Sequence, residues 1–258
     1  MLRIAGIQQN LIWQDAQANR TAFTESITAA AKNAQVVILP EMFSTGFSMQ
    51  AARLAEKMDG STMQWLLDLA VTLRIIIGGS LIIEEDGKFY NRFVWVQPNG
   101  EVHCYNKRHL FSYAQEQLHY TAGDTRTIVS VNGVRIALFV CYDLRFPAWC
   151  RQQHNALYDM AIFVANWPQV RIEAWQALLK ARAIENQAYV IGINRVGTDG
   201  SDLQYNGASM IIDYSGKILE EAFDTDAILN CSIDKEALIA YREKFRFLDD
   251  ADSFSITN

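Results

Sequence analysis

Val36-Val37-Ile38-Leu39-Pro40-Glu41 is four consecutive apolar residues stopped by a proline and followed at once by an acid. A short unbroken apolar run bounded by a breaker reads as a strand buried on both faces, as in parallel sheets. Proline offers no N–H to a ladder, so the strand ends there. Upstream, the pattern predicts a buried strand from Leu2 to Gln8 and an amphipathic helix from about Gln14 to Asn33. Downstream, it predicts a helix from Met63 to Leu73 and a strand from Ile75 to Ile83 containing Gly78-Gly79. Strand, helix, strand, helix, strand puts the first third of the chain in the α/β class.

Beyond that third the rhythm changes. Asp86-Gly87 and Asn99-Gly100 read as turns between strands Phe89 to Val96 and Glu101 to Tyr105, and Asn132-Gly133 as a hairpin signal. A strand from Arg135 to Val140 ends at Cys141, and a helix is predicted from about Phe146 to Gln152. Strands follow at Met160 to Ala165 and Tyr189 to Asn194, with a helix from Glu173 to Asn186 between them. Ser209 to Asp213 and Lys217 to Glu221 flank a turn at Tyr214-Ser215-Gly216; Ala227 to Ser232 is a last strand and Lys235 to Phe245 a last helix. Mixed strands with helices outside them predict two packed sheets, each covered by helices. The 258 residues contain four prolines and no linker, repeat or low-complexity tract. One domain is therefore expected over 1–258, with a core to about residue 245 and an acidic tail, 246–258, that packs on a partner subunit or frays.

The net charge of −6, from 23 basic and 29 acidic residues, comes with no basic run, which disfavours nucleic acid and anionic membranes as partners. No apolar stretch approaches the ~20 residues of a membrane span, and the chain enters a strand-like run at once without a signal peptide. Cys104, Cys141, Cys150 and Cys231 form no paired spacing and no ligand cluster with the histidines. Reduced thiols in a cytoplasm are expected, and no structural metal.

Three residues follow directly on strands. Cys141 stands where a buried strand turns toward a helix, and helix N-termini favour the thiolate. Glu41 is set by the strand and proline before it, and Lys107 follows Val102-His103-Cys104-Tyr105. Singly each is a weak sign, since most cysteines are core and most acids and lysines are solvated. A nucleophilic cysteine most often uses a histidine, but no Cys–His signature is present, which turns attention to carboxylates and lysines.

Leu39-Pro40-Glu41-Met42-Phe43, Tyr105-Asn106-Lys107-Arg108-His109-Leu110 and Cys141-Tyr142-Asp143-Leu144-Arg145-Phe146-Pro147, in that order, resemble the three signature segments of the nitrilase superfamily of carbon–nitrogen hydrolases. Asn166-Trp167-Pro168 and Ala181-Arg182-Ala183-Ile184-Glu185-Asn186-Gln187 extend the resemblance, which runs from Leu2 to about Phe245. It implies a four-layer α-β-β-α sandwich with two mixed sheets and a Glu–Lys–Cys triad of Glu41, Lys107 and Cys141. Glu116 matches the family's second active-site glutamate. The resemblance also implies that the backbone N–H of Tyr142 joins Lys107 in holding an oxyanion, that no cofactor takes part, and that the protein is a homodimer.

Within the superfamily the segments are most similar to the ω-amidase group, particularly its small bacterial members. That implies hydrolysis of the terminal amide of 2-oxo dicarboxylate monoamides, 2-oxoglutaramate and 2-oxosuccinamate, to the 2-oxo acid and ammonia. A small aliphatic or carbamoyl amide is the alternative substrate, and a non-catalytic binding protein on the same scaffold is the alternative class. An anionic substrate needs local cations; Arg145 and Arg195, both following apolar strands, are the candidates. Phe43 and Trp167 are candidate pocket walls.

Overall fold

The computed structural model of the chain describes residues 1–153 and 156–256. Its strands, in chain order, are β1 (Leu2–Gln8), β2 (Val36–Ile38), β3 (Ile76–Glu85), β4 (Lys88–Val96), β5 (Val102–Asn106), β6 (Ile128–Val131), β7 (Val134–Val140), β8 (Met160–Val164), β9 (Tyr189–Ile193), β10 (Val196–Thr198), β11 (Gln204–Ile212), β12 (Ile218–Phe223) and β13 (Ala227–Ile233). The α-helices are α1 (Ala16–Ala31), α2 (Ala51–Leu54), α3 (Ser61–Leu73), α4 (Pro147–Cys150), α5 (Ile172–Asn186) and α6 (Lys235–Lys244). Asp15 and Asp234 cap α1 and α6 by accepting from the Ala18 and Ala237 backbone N–H groups.

The strands form two sheets, one ordered β13-β1-β2-β3-β4-β5 and the other β10-β11-β9-β8-β7-β6, with β12 also on β11. β1, β2 and β3 run parallel, as do β7, β8 and β9; the remaining pairs are antiparallel. Period-two alternation along β2 creates the layers. Val36 and Ile38 join Ile136, Leu138 and Ile162 in the core between the sheets. Val37 and Leu39 point the other way, onto Phe23 and Ile27 of α1 and Met63 and Leu66 of α3. Trp175, Leu179 and Ala183 of α5 cover the second sheet, which completes the α-β-β-α sandwich.

The same topology gathers the site. Glu41 lies past the C-terminal end of β2, and Cys141 follows β7 directly. Two antiparallel turns, β3 to β4 to β5, return β5 to the direction of β2, so Lys107 leaves at the same edge as Glu41. Ligands in open α/β sheets gather at these carboxyl ends.

Most predicted elements are present within a few residues. The helix expected over Phe146 to Gln152 is shorter: Cys141–Arg145 forms a 3-10 turn, and α4 spans only Pro147–Cys150. Near the C-terminus the chain also makes contacts with its own domain. Gln187 Nε2 donates to the Phe245 carbonyl at 2.8 Å and Gln153 Nε2 to the Phe254 carbonyl at 3.4 Å. Residues 257 and 258 lie outside the described residues.

Candidate active site

Cys141 ends a buried strand with a positive φ of 44°, a conformation an L-residue adopts only where its surroundings enforce it. The sharp turn from β7 into the 3-10 turn places Cys141, a half-buried residue, on the lining of a cavity of about 600 Å³ that Glu41 and Lys107 also line. The first N–H groups of such a turn, those of Cys141 and Tyr142, have no partner within it, so they are available to an oxygen bound there.

Behind the sulfur lies a dense polar cluster. Lys107 Nζ donates to Glu41 Oε1 at 3.0 Å and to both Glu116 oxygens at 3.1 and 2.9 Å. Asn91 Nδ2 donates to Glu41 Oε1 at 2.7 Å, and its Oδ1 accepts from the Ser80 hydroxyl at 2.8 Å. The Asn166 backbone N–H donates to Glu41 Oε2 at 2.8 Å, and its side-chain amide to the Glu41 carbonyl at 2.6 Å. The Phe111 N–H holds Glu116 Oε2 at 2.6 Å. Glu41, Asn91, Lys107 and Glu116 are all buried.

Burial pulls the Lys107 pKa down, but the Glu116 and Glu41 charges outweigh it and the net direction is up, so the ammonium stays protonated. Burial raises Glu116; Lys107 opposes this and Glu41 adds to it, leaving the pKa above the ordinary carboxylate range. The Cys141 thiol is pushed well up by burial first and by the Glu41 charge second, with Lys107 only partly offsetting them. The resting sulfur is therefore a protonated thiol beside a carboxylate, and attack requires a proton acceptor.

The structure brings Glu41, Lys107, Glu116 and Cys141 together. Tyr142, Arg145 and Trp167 line the same cavity, with the Arg145 guanidinium 4.9 Å above the Trp167 ring. Two expected residues lie elsewhere. Phe43 is a core residue, packed edge-on against Phe23 at 5.7 Å and beside Trp65, and it fills the space over Gly79, where a Cβ would stand 2.9 Å from the Phe43 ring. The aromatic wall near Lys107 is Phe47, whose ring lies 5.1 Å from Nζ. Arg195 is buried behind Tyr205. It donates to the carbonyls of Val196, Leu11 and Thr198 and to Asn10, so it ties β10 to the loop after β1 and does not reach the cavity.

Asn91 escaped the sequence reading, although a signal exists: with Arg92 it puts polar side chains just before the apolar run 93–96 of β4, and a buried polar side chain in a strand calls for a partner. Arg171 also escaped. It lines the cavity from a 3-10 turn, Gln169–Arg171, which periodicity does not reveal.

Comparison with known proteins shows the family and the fold. The carbon-nitrogen hydrolase family model matches residues 3–243. Omega-amidase YafV of Escherichia coli is 44% identical over 99% of this chain and 98% of its own. The 2-oxoglutaramate amidase of Bacillus subtilis is 32% identical over 87% of each chain. The crystal structure of XC1258 from Xanthomonas campestris, a CN-hydrolase superfamily protein with an arsenic adduct in its active site, superposes with a TM-score of 0.97 at 40% identity, covering 99% of each chain. The chain belongs to the carbon–nitrogen hydrolase family.

Proposed function

We propose that the protein is an ω-amidase that hydrolyses the terminal amide of 2-oxo dicarboxylate monoamides such as 2-oxoglutaramate and 2-oxosuccinamate. The observation that carries this is the meeting of a thiol, a buried carboxylate and a buried ammonium on the lining of a cavity that Arg145 and Arg171 also line. Similarity over nearly the whole chain to Omega-amidase YafV, and to a 2-oxoglutaramate amidase, supports the substrate class.

In this reading Glu41 accepts the Cys141 proton as the sulfur attacks the amide carbonyl carbon. Lys107 Nζ and the Tyr142 N–H hold the oxyanion. As the intermediate collapses, the carbon–nitrogen bond breaks and Glu41 returns the proton to nitrogen, so ammonia leaves and a thioester remains. Water enters, Glu41 takes its proton, and the hydroxyl adds to the thioester carbon. The second collapse frees the carboxylic acid and restores the thiol with the proton from Glu41. Glu116 stays on Lys107 throughout and keeps its Nζ in place.

The cavity wall supports an anionic substrate. Arg145 and Arg171 line it, and among the described residues neither forms an ion pair. Asp199, which lines the same cavity, is engaged by the Ser201 and Leu203 N–H groups and the Tyr205 hydroxyl. It staples a loop and offers little to a substrate ammonium, which favours an oxo acid over an amino acid. Trp167 forms the apolar wall beneath Arg145.

We read the chain as one catalytic domain working in the cytoplasm as a homodimer. Its four free cysteines and the exposed Ala177 and Ile184 on the outer face of α5 support that reading. A kinetic panel tests the function: kcat/KM is expected to be highest for 2-oxoglutaramate and lower for glutamine, a short aliphatic amide and a nitrile. Equal or greater efficiency on the aliphatic amide would reject the substrate class.

A further inference from the structure

The cavity wall is asymmetric. Arg145 belongs to the same 3-10 turn as Cys141 and lies over the Trp167 ring. Arg171 approaches from the mouth: its neighbours there, Tyr113 and Val170, are 84% and 75% exposed. The Arg171 backbone is clamped from two sides, its N–H donating to the Pro168 carbonyl at 3.0 Å and its carbonyl accepting from Trp167 Nε1 at 2.9 Å. Its guanidinium lies 5.3 Å from the Phe111 ring centre and 6.0 Å from that of Tyr113. Stacking on aromatic faces orients a guanidinium while leaving its in-plane N–H donors for a ligand. Half-buried, orientated and without an acidic partner, such a group suits a planar, bidentate anion.

We propose that Arg171 grips the far carboxylate of the substrate and sets the preference for anionic over neutral amides. This rests on the oxo-acid reading above and adds a residue to it. Counting from the scissile amide, 2-oxoglutaramate presents two methylenes, then the 2-oxo group, then the carboxylate. In this reading Arg145, carried by the turn that holds Cys141, meets the 2-oxo oxygen, and Arg171, beside the exposed Tyr113 and Val170, meets the carboxylate. Binding there also fills the mouth beside Phe111, whose N–H holds Glu116, and so joins substrate recognition to the loop that supports Lys107.

The test compares wild type, Arg171→Gln, Arg171→Lys and Arg145→Gln on 2-oxoglutaramate and on pentanamide, a neutral amide of equal length. Arg171→Gln is expected to lower the ratio of kcat/KM for 2-oxoglutaramate to that for pentanamide on the order of 100-fold, chiefly through the KM of the oxo acid. Lysine, which keeps the charge and loses the fork, should fall between. Should Arg171→Gln fail to fold, the lysine variant decides: an undiminished ratio between the two substrates overturns the proposal. Equal losses on both substrates also overturn it, because the residue then only supports the loop. If Arg145→Gln alone removes the preference, Arg145 is the carboxylate site and Arg171 is not. A wild type that favours pentanamide defeats the substrate reading itself, a result distinct from the others.

Discussion

The floor and the wall of the cavity are built on opposite rules. On the floor, Glu41, Lys107, Glu116 and Asn91 are buried and bonded to one another or to backbone. On the wall, Arg145 and Arg171 are partly exposed, lie on aromatic rings and form no ion pair among the described residues. A fully partnered polar cluster holds its geometry before substrate arrives, which is what transition-state stabilisation needs. An unpartnered cation keeps its hydrogen bonds for a ligand, which is what discrimination needs. Damage to the floor should therefore appear in kcat on every amide, and damage to the wall in the ratio between amides.

The largest effect should come from Lys107→Met. It removes the charged donor to the oxyanion and strands two buried carboxylates, one of which then takes up a proton. A fall in kcat of at least about 10³-fold is expected on oxo-acid and neutral amides alike, with the circular dichroism of the wild type retained. Ammonia release at near wild-type rate would remove Lys107 from the chemistry.

Asn91→Ala comes next and tests whether the floor acts as a unit. The variant loses the 2.7 Å bond to Glu41 and the link through Ser80 to the Met42 N–H. Small displacements of a positioned base are costly, so kcat should drop roughly 10- to 100-fold with KM little changed. A KM effect restricted to the oxo acid would place Asn91 with the wall.

Glu41→Gln gives a smaller effect of opposite sign on a second readout. The Glu41 charge helps hold the Cys141 thiol above its ordinary range, so removing it lowers the thiol pKa and enlarges the thiolate fraction at pH 7.5. Iodoacetamide labelling of Cys141, followed peptide by peptide, should accelerate by about tenfold while amide hydrolysis collapses. In the wild type the labelling rate should still climb above pH 9, where a thiol of pKa about 8.5 has begun to level off. Unchanged labelling would mean that burial alone holds the thiol up, and slower labelling that Glu41 acts on iodoacetamide attack chiefly as a base.

How much of this was legible in the sequence follows from the kind of force involved. β2, β7 and β8 are continuous apolar runs ended by Pro40, Cys141 and Asn166, and apolar runs report burial directly. The strand ends in turn placed Glu41, Lys107 and Cys141, because topology carries those ends to one edge. Residues positioned by tertiary contact were harder. Arg171 and Arg195 carry no local signal that separates them, yet one lines the cavity and the other meets three carbonyls. Which fate an arginine has depends on what the remote strand and loop present to it, and β10 with the loop after β1 is settled only in three dimensions. Phe43 failed for the same reason: two residues past Glu41 it could point to either layer, and the room over Gly79 draws it into the core.

That placement yields the smallest effect and the sharpest contrast with the wall. Phe43→Leu keeps an apolar side chain but leaves part of the space between Phe23, Trp65 and Gly79 empty. Large-to-small changes in a packed layer lose both transfer energy and contacts across the residual void, so a loss of about 1–2 kcal/mol in unfolding free energy is expected from urea melts. The substrate ratio, however, should match wild type, since nothing from Phe43 reaches the cavity. Phe47→Leu makes the converse change, altering kinetics through the ring beside Lys107 with less effect on the melt. If the two variants exchanged these signatures, the boundary drawn between core and site along residues 41–47 would be wrong.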